Sequence, residues 1–445
     1  MGFSPKLCTL FIALAWSPAY ATDLLETYRL AKQNDATYAA ARAQYEADKE
    51  RLPQGLALLL PVIGAQAETN INDQEFQSEN ALTNRNARYN DHGWSVTLTQ
   101  PLFRWENFVQ YRQAQFQVQQ AEAIVGQALQ DLIVRVSQAY FDVLAAEDNL
   151  EFVRANKTSI SEQLAQAKRN FEVGTATITD TNEAQARYDL SVAQEIAAVN
   201  ALEVARRALE QITASLTEAL TPLKPNLEIA LPQPNDMNQW VDSAQNNNFA
   251  VKANEAAFEV ATREVDRRRA GHYPTIDLVA GYSDATTNQG VASVASGQRL
   301  TTEGSVIGVQ MSLPLFEGGA VNSRTREASA LRERARNDLL AARRNAQFTA
   351  RQSFLNVNNG RAQVQALEQA LVSSETALKS NRVGYDVGVR INIDVLNAQQ
   401  QVFQTQRDLS RARYDTIING LKLKAAAGTL SETDVEAVNQ LLARR

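Results

Sequence analysis

Cysteine is almost absent from this chain. Its 445 residues include one cysteine, Cys8, which lies inside a predicted export signal, so the mature protein is expected to have none. That excludes structural disulfides, thiol catalysis and thiolate metal sites. Cys8 also precedes most of the apolar stretch of the signal, which is too early for a lipid-attachment cysteine at the cleavage point.

Long hydrophobic runs are missing as well. After residue 21 no stretch approaches roughly 18 apolar residues, so no transmembrane helix is predicted. Residues 1–21 form a predicted signal peptide, with Lys6, an apolar stretch at 7–16 and the cleavage site Ala19-Tyr20-Ala21. An uncleaved anchor is the alternative, but this stretch is too short to span about 30 Å of hydrocarbon. We therefore expect a periplasmic, secreted or outer-membrane β-barrel protein.

Histidines and concentrated charge are scarce too. The two histidines, His92 and His272, have no metal-site spacing, and the net charge of −6 includes no basic cluster, so neither a metal nor nucleic acid is predicted as a partner. We find no nucleophile–base pair and no phosphate-binding glycine loop. The chain is expected to be neither an enzyme nor a cofactor carrier.

The chain contains the same order of landmarks twice. Pro101-Leu-Phe103 recurs as Pro314-Leu-Phe316, 213 residues later, and residues 171–174 (FEVG) recur as 385–388 (YDVG). Solenoid repeats are only about 20–50 residues long, so this pattern indicates a duplicated half-structure. We predict repeat 1 at 22–220, a proline-rich linker at 221–235, repeat 2 at 236–430 and a mostly polar tail at 431–445.

Each repeat begins with a helix and two strands. A helix is predicted over 23–51 and ended by Pro53 and Pro61. In repeat 1, Trp94, Val96 and Leu98 alternate with hydroxyl residues, and similar alternation occurs at 276–282 and 307–313. Polar stretches at 72–93 and 284–302 are predicted as loops between the strands.

These hairpins resemble the strands of outer-membrane barrels, which are apolar toward lipid and polar toward the lumen. A soluble hairpin resting on helices is the alternative, and the presence of two equivalent hairpins favours the barrel. Unpaired sheet edges are not tolerated in a bilayer, and four strands cannot close a barrel. Several chains must therefore share one.

A long helix follows each hairpin. In the first repeat it runs to about residue 171. Apolar residues at heptad spacing predict a coiled-coil seam in both repeats. In the first repeat they are Leu129, Val136, Val143 and Leu150, with Leu132, Ala139, Ala146 and Val153 between them, and in the second they are Val357, Val364, Leu371 and Leu378. Gly174 and Gly388 are predicted to end these helices. A second helix then returns from Asp180 or Asp394.

These segments resemble the TolC family of outer-membrane channels. The residues that carry the resemblance are 385–397 (YDVGVRINIDVLN), echoed by 171–180 (FEVGTATITD), together with 412–414 (ARY) and 423–430 (LKAAAGTL). The resemblance implies a mixed α/β membrane protein. Three chains of four strands would form a 12-stranded barrel in outer-membrane lipid, continuous with a periplasmic helical barrel.

The resemblance also implies a function and partners. The chain would be the exit duct of a tripartite efflux pump or a type I secretion system, working as a homotrimer with a periplasmic adaptor and an inner-membrane transporter. Two other classes are kept as alternatives, a stand-alone diffusion porin and a structural coiled-coil protein spanning the envelope.

At the hairpin tips, marked by Gly174 and Gly388, the resemblance implies a periplasmic gate. Tyr385 would hydrogen-bond to Asp180, and Arg390 would contact Thr179. Asp394 would form a ring at the narrowest point of the pore. One member of the family has a second aspartate three residues on, where this chain has Asn397.

Simpler roles are also open for the same residues. Asp180 and Asp394 could serve simply as helix caps. Tyr385 could pack the tip, and Arg390 could be a solvated surface charge.

Overall fold

The structure is a computed structural model. It describes residues 22–76, 85–175, 177–215, 219–225, 227, 229–287 and 299–443. The predicted signal peptide at 1–21 and Cys8 lie outside the described residues.

Three short helices open the described chain: α1 (Leu24–Asn34), α2 (Ala36–Lys49) and α3 (Arg51–Ala57). The prediction of one helix ended by Pro53 is wrong. The helix is interrupted at Asp35, whose side chain accepts a hydrogen bond from the backbone N–H of Tyr38 and so caps α2. Pro53 lies in the first turn of α3, where a missing N–H costs no helical hydrogen bond.

One antiparallel sheet holds four strands in the order β1 (Val62–Phe76), β2 (Arg85–Phe103), β3 (Thr275–Thr287) and β4 (Leu300–Ser312). The strands are longer than predicted, because most of 72–93 and both ends of 284–302 are strand and not loop. Polar side chains pair across β1 and β2, for example Asn72 with Asp91 at 2.8 Å. Such residues show no apolar alternation, so sequence periodicity misses them.

The strand register places the large apolar residues on one face. Directly paired residues of an antiparallel sheet point to the same side. One row across the four strands reads Ile63, Leu98, Ala280 and Ile307. Ile63 and Ile307 are 67% and 78% exposed, so no described part of the chain covers this face.

The opposite face of the sheet is polar and small. One row across it reads Gln66, Ser95, Ser283 and Gly304. The outer strands β1 and β4 each pair on one side only among the described residues. The sheet is therefore amphipathic and ends in two open edges.

Two long helical hairpins follow the two pairs of strands. The first consists of α4 (Trp105–Glu172) and α5 (Ile178–Thr213), and the second of α8 (Ala320–Asp386) and α9 (Asn392–Ala426). The 68 residues of α4 reach about 100 Å at 1.5 Å per residue. No helix among the described residues combines the length and the apolarity needed to cross a membrane.

Between the hairpins lie α6 (Met237–Asn247) and α7 (Phe249–Arg269), followed by a 3₁₀ turn at Ala270–His272. α7 runs antiparallel to the first part of α4, where Gln113 donates to the backbone oxygen of Val260 at 3.2 Å. It also packs on α8. The four helices that adjoin the strands along the chain are thus α3, α4, α7 and α8.

The predicted tail contains a helix, α10 (Glu432–Asn439). It begins with a capping box formed by Ser431 and Asp434. Val435 and Val438 of α10 are buried in the main core beside α1, the middle of α4 and the end of α9. Tyr28 of α1 donates to Glu432 at 3.0 Å. Residues near both ends of the described chain thus meet around the middle of the long helices.

Five of the eight predicted heptad positions of α4 are buried, namely Leu132, Val136, Ala139, Val143 and Leu150, while Leu129, Ala146 and Val153 are partly buried. The packing around these positions differs from that of a simple two-helix seam, because the same core also holds side chains from α1, α9 and α10. In the second hairpin Val357 and Val364 are buried. The long helices are therefore held most firmly at mid-length.

Candidate functional site

The two hairpin tips have the same turn geometry. Gly174 and Gly388 have φ of +77° and +79°, a left-handed conformation that favours glycine. The N–H of Thr175 donates to Asn170 O at 2.8 Å, and the N–H of Val389 donates to Gly384 O at 2.9 Å. These bonds satisfy carbonyls at the helix ends. This requirement is the reason why both glycines are predicted from the sequence to end their helices.

Asp180 lies in the first turn of α5, where it forms a capping box with Thr177. One carboxylate oxygen, Oδ2, accepts from Thr177 N at 3.0 Å and from Thr177 Oγ1 at 2.7 Å, and Asp180 N donates back to Oγ1 at 3.2 Å. Asp180 is therefore the third helical residue and not the N-cap. Thr179, beside it, is exposed.

Tyr385 lies in the last turn of α8 and connects the two tips. Its hydroxyl oxygen accepts from Asn170 Nδ2 at 3.2 Å. The phenol ring is half-buried. This bond joins the end of α4 to the end of α8, so Asn170 is a site residue that the sequence analysis missed.

Arg390 and Asp394 form an ion pair across one turn, with 3.5 Å between Nη1 and Oδ2. Their side chains are 58% and 34% exposed, so the pair contributes little to stability. Asp394 is the third residue of α9, whose N-cap Ile391 has no side-chain oxygen. The N-cap interpretation of Asp394 is therefore wrong as well.

Asn397 is held by a residue of the other hairpin. Its Oδ1 accepts from Arg187 Nη2 of α5 at 2.9 Å, and Arg187 Nη1 donates to Gln400 Oε1 at 2.6 Å. Nearby, Gln163 of α4 donates to Gln399 Oε1 of α9 at 2.5 Å. Sequence reasoning missed these partners too, because nothing local marks a contact between separate hairpins.

The predicted residues therefore lie at one end of the hairpins but form other pairs. Among the described residues there is no hydrogen bond between Tyr385 and Asp180, and no hydrogen bond between Arg390 and Thr179. Asp180 is engaged within its own turn, and Arg390 faces Asp394. The two cross-hairpin contacts of the gate remain predictions for the assembled protein.

The junction between sheet and helices contains a strong ionic contact. Arg104, which precedes α4, donates Nε and Nη2 to the two carboxylate oxygens of Asp277 in β3, at 2.8 and 2.7 Å. This hydrogen bonding raises the pKa of the Arg104 guanidinium. A bidentate pair fixes orientation as well as distance, so it sets how β3 meets the start of α4.

Known proteins match this chain over nearly its full length. The family model for outer membrane efflux proteins matches residues 27–215 and 240–429. "Outer membrane protein TolC" of Vibrio cholerae is 34% identical over 440 residues, which cover 98% of this chain and 98% of that protein. "Alkaline protease secretion protein AprF" of Pseudomonas aeruginosa is 32% identical over 432 residues, covering 96% of this chain and 89% of that protein.

Solved structures share the fold at lower identity. The Campylobacter jejuni CmeC outer membrane channel superimposes with a TM-score of 0.79 at 16% identity, covering 96% of this chain and 94% of that one. VceC of Vibrio cholerae, an outer membrane protein, gives 0.77 at 19% identity over 91% of this chain and 96% of that one.

Proposed function

Because the chain belongs to the TolC family of outer membrane efflux proteins, we propose that it is the outer-membrane exit duct of an efflux pump or type I secretion system. The family is one of channels, not enzymes. The duct therefore conducts passively, while an inner-membrane transporter supplies energy and selects the cargo. A periplasmic adaptor connects the two.

The observation that supports this function best is the sheet. In the part of the sheet nearest the helices, one face is apolar and largely exposed and the other is small and polar, and the two outer edges are open. In a bilayer every backbone N–H and C=O must be paired, and small membrane barrels need about eight strands or more. Four strands per chain therefore require several chains.

We propose that three chains join edge to edge, with β4 of one beside β1 of the next. The result is a barrel of 12 strands in outer-membrane lipid. Since α3, α4, α7 and α8 continue from the strands, the wall extends as a helical barrel into the periplasm. A stand-alone porin would close its barrel within one chain, and a spacer protein would have no need of the amphipathic sheet.

We assign the gate to the hairpin tips. In the trimer, Tyr385 with Asp180 and Arg390 with Thr179 hold the periplasmic end closed, while Asp394 lines the constriction and Asn397 lies one turn above it. One hydrogen bond to a charged group contributes about 1.5–3 kcal/mol. Three copies that release together total on the order of 5–10 kcal/mol, enough to keep a ring closed until a partner binds the open form.

The test is the conductance of purified protein in planar bilayers. Tyr385→Phe combined with Arg390→Ser is expected to raise it. The control is Arg411→Ser, because Arg411 is 67% exposed and its ion pair among the described residues is with Asp415 of its own helix. Equal conductance of the double variant and wild type would refute the gate, and absence of any channel would refute the duct.

A further inference from the structure

Arg187 forms the only charged side-chain contact between α5 and α9 among the described residues. The two helices have few other contacts, since each packs mainly against the other helix of its own hairpin. The guanidinium donates one Nη to Asn397 Oδ1 at 2.9 Å and the other to Gln400 Oε1 at 2.6 Å. Arg187 thus adds a contact from α5 to the hydrogen bonds of Asn170 with Tyr385 and of Gln163 with Gln399, which also join the two hairpins near their tips.

The geometry of this contact favours a specific fit. Asn397 and Gln400 are three residues apart on α9, so their side chains lie on the same face of the helix. The planar guanidinium presents two Nη donors in a fixed fork, and each meets one amide oxygen. Arg187 is half-buried, so packing limits its alternative positions.

The partners of Arg187 are neutral amides. Its neighbours in α5 pair differently, with Arg206 binding Glu147 and Arg207 binding Glu203 and Glu210. Within the described part of the chain no ion pair includes Arg187. The contact therefore consists of hydrogen bonds that a cation donates to neutral amide oxygens, and it can release without separating two opposite charges.

The contact also lies beside the predicted constriction. Asn397 follows Asp394 by one helical turn, and Asp394 pairs with Arg390. Holding Asn397 against α5 fixes the rotation and position of the first turns of α9. The constriction residue Asp394, one turn earlier on α9, is thereby positioned by a residue of the other hairpin.

We propose that Arg187 is a positioning residue of the gate, a latch from α5 that holds α9 in the closed arrangement and releases when the hairpins separate. The inference rests on the proposed gating function and adds to it a control point outside the tip turns. It also gives Asn397 a role, because an amide at this position keeps the latch weaker than an aspartate would.

The test compares Arg187→Gln with Arg207→Gln in planar bilayers. Both variants remove an arginine from α5, but the ion pairs of Arg207 among the described residues are with Glu203 and Glu210 of its own helix. We expect Arg187→Gln to raise conductance by roughly tenfold to a hundredfold, because the variant loses at least one of the two charge-assisted hydrogen bonds in each protomer. Arg207→Gln should match wild type.

A second comparison separates a latch from a general structural role. Asn397→Asp should lower conductance when Arg187 is present, because the latch becomes an ion pair. The decrease should shrink at high salt, which screens exposed ion pairs. In the Arg187→Gln background the same substitution should not lower it. Equal effects of Asn397→Asp in both backgrounds would overturn the latch.

The failure of the latch can be told from the failure of the gate. If the Tyr385→Phe and Arg390→Ser combination raises conductance while Arg187→Gln does not, the gate stands and the latch is wrong. If neither raises it, the gate itself is wrong. Should Arg187→Gln fail to assemble, Gln400→Ala removes one bond from the α9 side and must raise conductance.

Discussion

Asp35 offers the sharpest test of how the middle of the molecule is held. Its side chain is 5% exposed and accepts two hydrogen bonds from Arg135 of α4, both at 3.0 Å. It also caps α2 through Tyr38 N at 2.7 Å. Asp35→Asn removes the charge but keeps a good capping residue, so the variant isolates the pair with Arg135.

The expected loss can be estimated from the burial of the two partners. Breaking a fully buried ion pair costs about 3–5 kcal/mol. Arg135 is 38% exposed, so solvent screening reduces the cost, and we expect about 2 kcal/mol for Asp35→Asn. Asp35→Ala should lose about 1 kcal/mol more, because the helix cap is lost too.

The pH dependence has a defined sign. Hydrogen bonds from Arg135 hold the pKa of Asp35 below its usual value. The folded state therefore binds fewer protons than the unfolded state near that value, and the stabilisation is complete above the unfolded pKa of about 3.9. It is lost as the pH falls through the folded pKa. The difference between wild type and Asp35→Asn should shrink below about pH 4.

The assay is guanidinium unfolding of detergent-solubilised protein, followed by the helical circular dichroism signal from pH 3 to pH 7. Glu46→Gln is the matched control, since Glu46 also lies in α2 but its pair with Lys49 is 66% and 45% exposed; it should cost less than about 0.5 kcal/mol. If Asp35→Asn costs no more than this control, or if its cost does not change with pH, the reasoning is wrong.

Two further predictions concern single side chains. Gly428→Ala should destabilise the protein far more than Gly388→Ala. Both glycines have positive φ, but an added Cβ at 428 would lie 2.2 Å from the backbone oxygen of Asn247, whereas at 388 it meets nothing within 4 Å. Thermal unfolding compares the two variants, and equal losses of stability would contradict the stated clash. Tyr414→Phe should cost about 1–2 kcal/mol, because Tyr414 donates to Asp148 at 2.8 Å. Burial and Asp148 raise the pKa of Tyr414, so the stability it provides is complete below the unfolded pKa of about 10 and is lost as the pH rises above it; alkaline unfolding that is identical in the variant would refute this.

The sequence predicted the amphipathic strands well where one face is apolar. Trp94, Val96 and Leu98 alternate with hydroxyl residues, and the register places them on one face as expected. The outer parts of β1 and β2 are predicted as a loop, because both faces are polar there. Their pairing depends on cross-strand contacts such as Tyr89 with Gln74 at 2.9 Å, which no local pattern indicates.

The helical part shows the same limit. Glycine and heptad patterns predicted the long helices and their ends, since these are local properties. The helix α10 was missed, although Ser431 and Asp434 have the spacing of a capping box, because its apolar residues are few and gain their burial from α1 and α4. Short helices of this kind depend on tertiary packing.

At the candidate site the sequence identified positions but not partners. Gly174, Gly388, Asp180 and Tyr385 follow from turn chemistry and from the resemblance. Asn170 could not be found, because its contact depends on how two long helices are aligned. A shift of one residue between α4 and α8 would give Tyr385 a different neighbour.

The central claim is that one chain supplies only part of a membrane wall, which is complete when identical chains join. The most direct measurement is the native mass of the detergent-solubilised, folded protein, taken together with its conductance in bilayers. We predict particles of three chains that conduct, and loss of conductance when they dissociate. A monomer that keeps its sheet and conducts alone would contradict the claim.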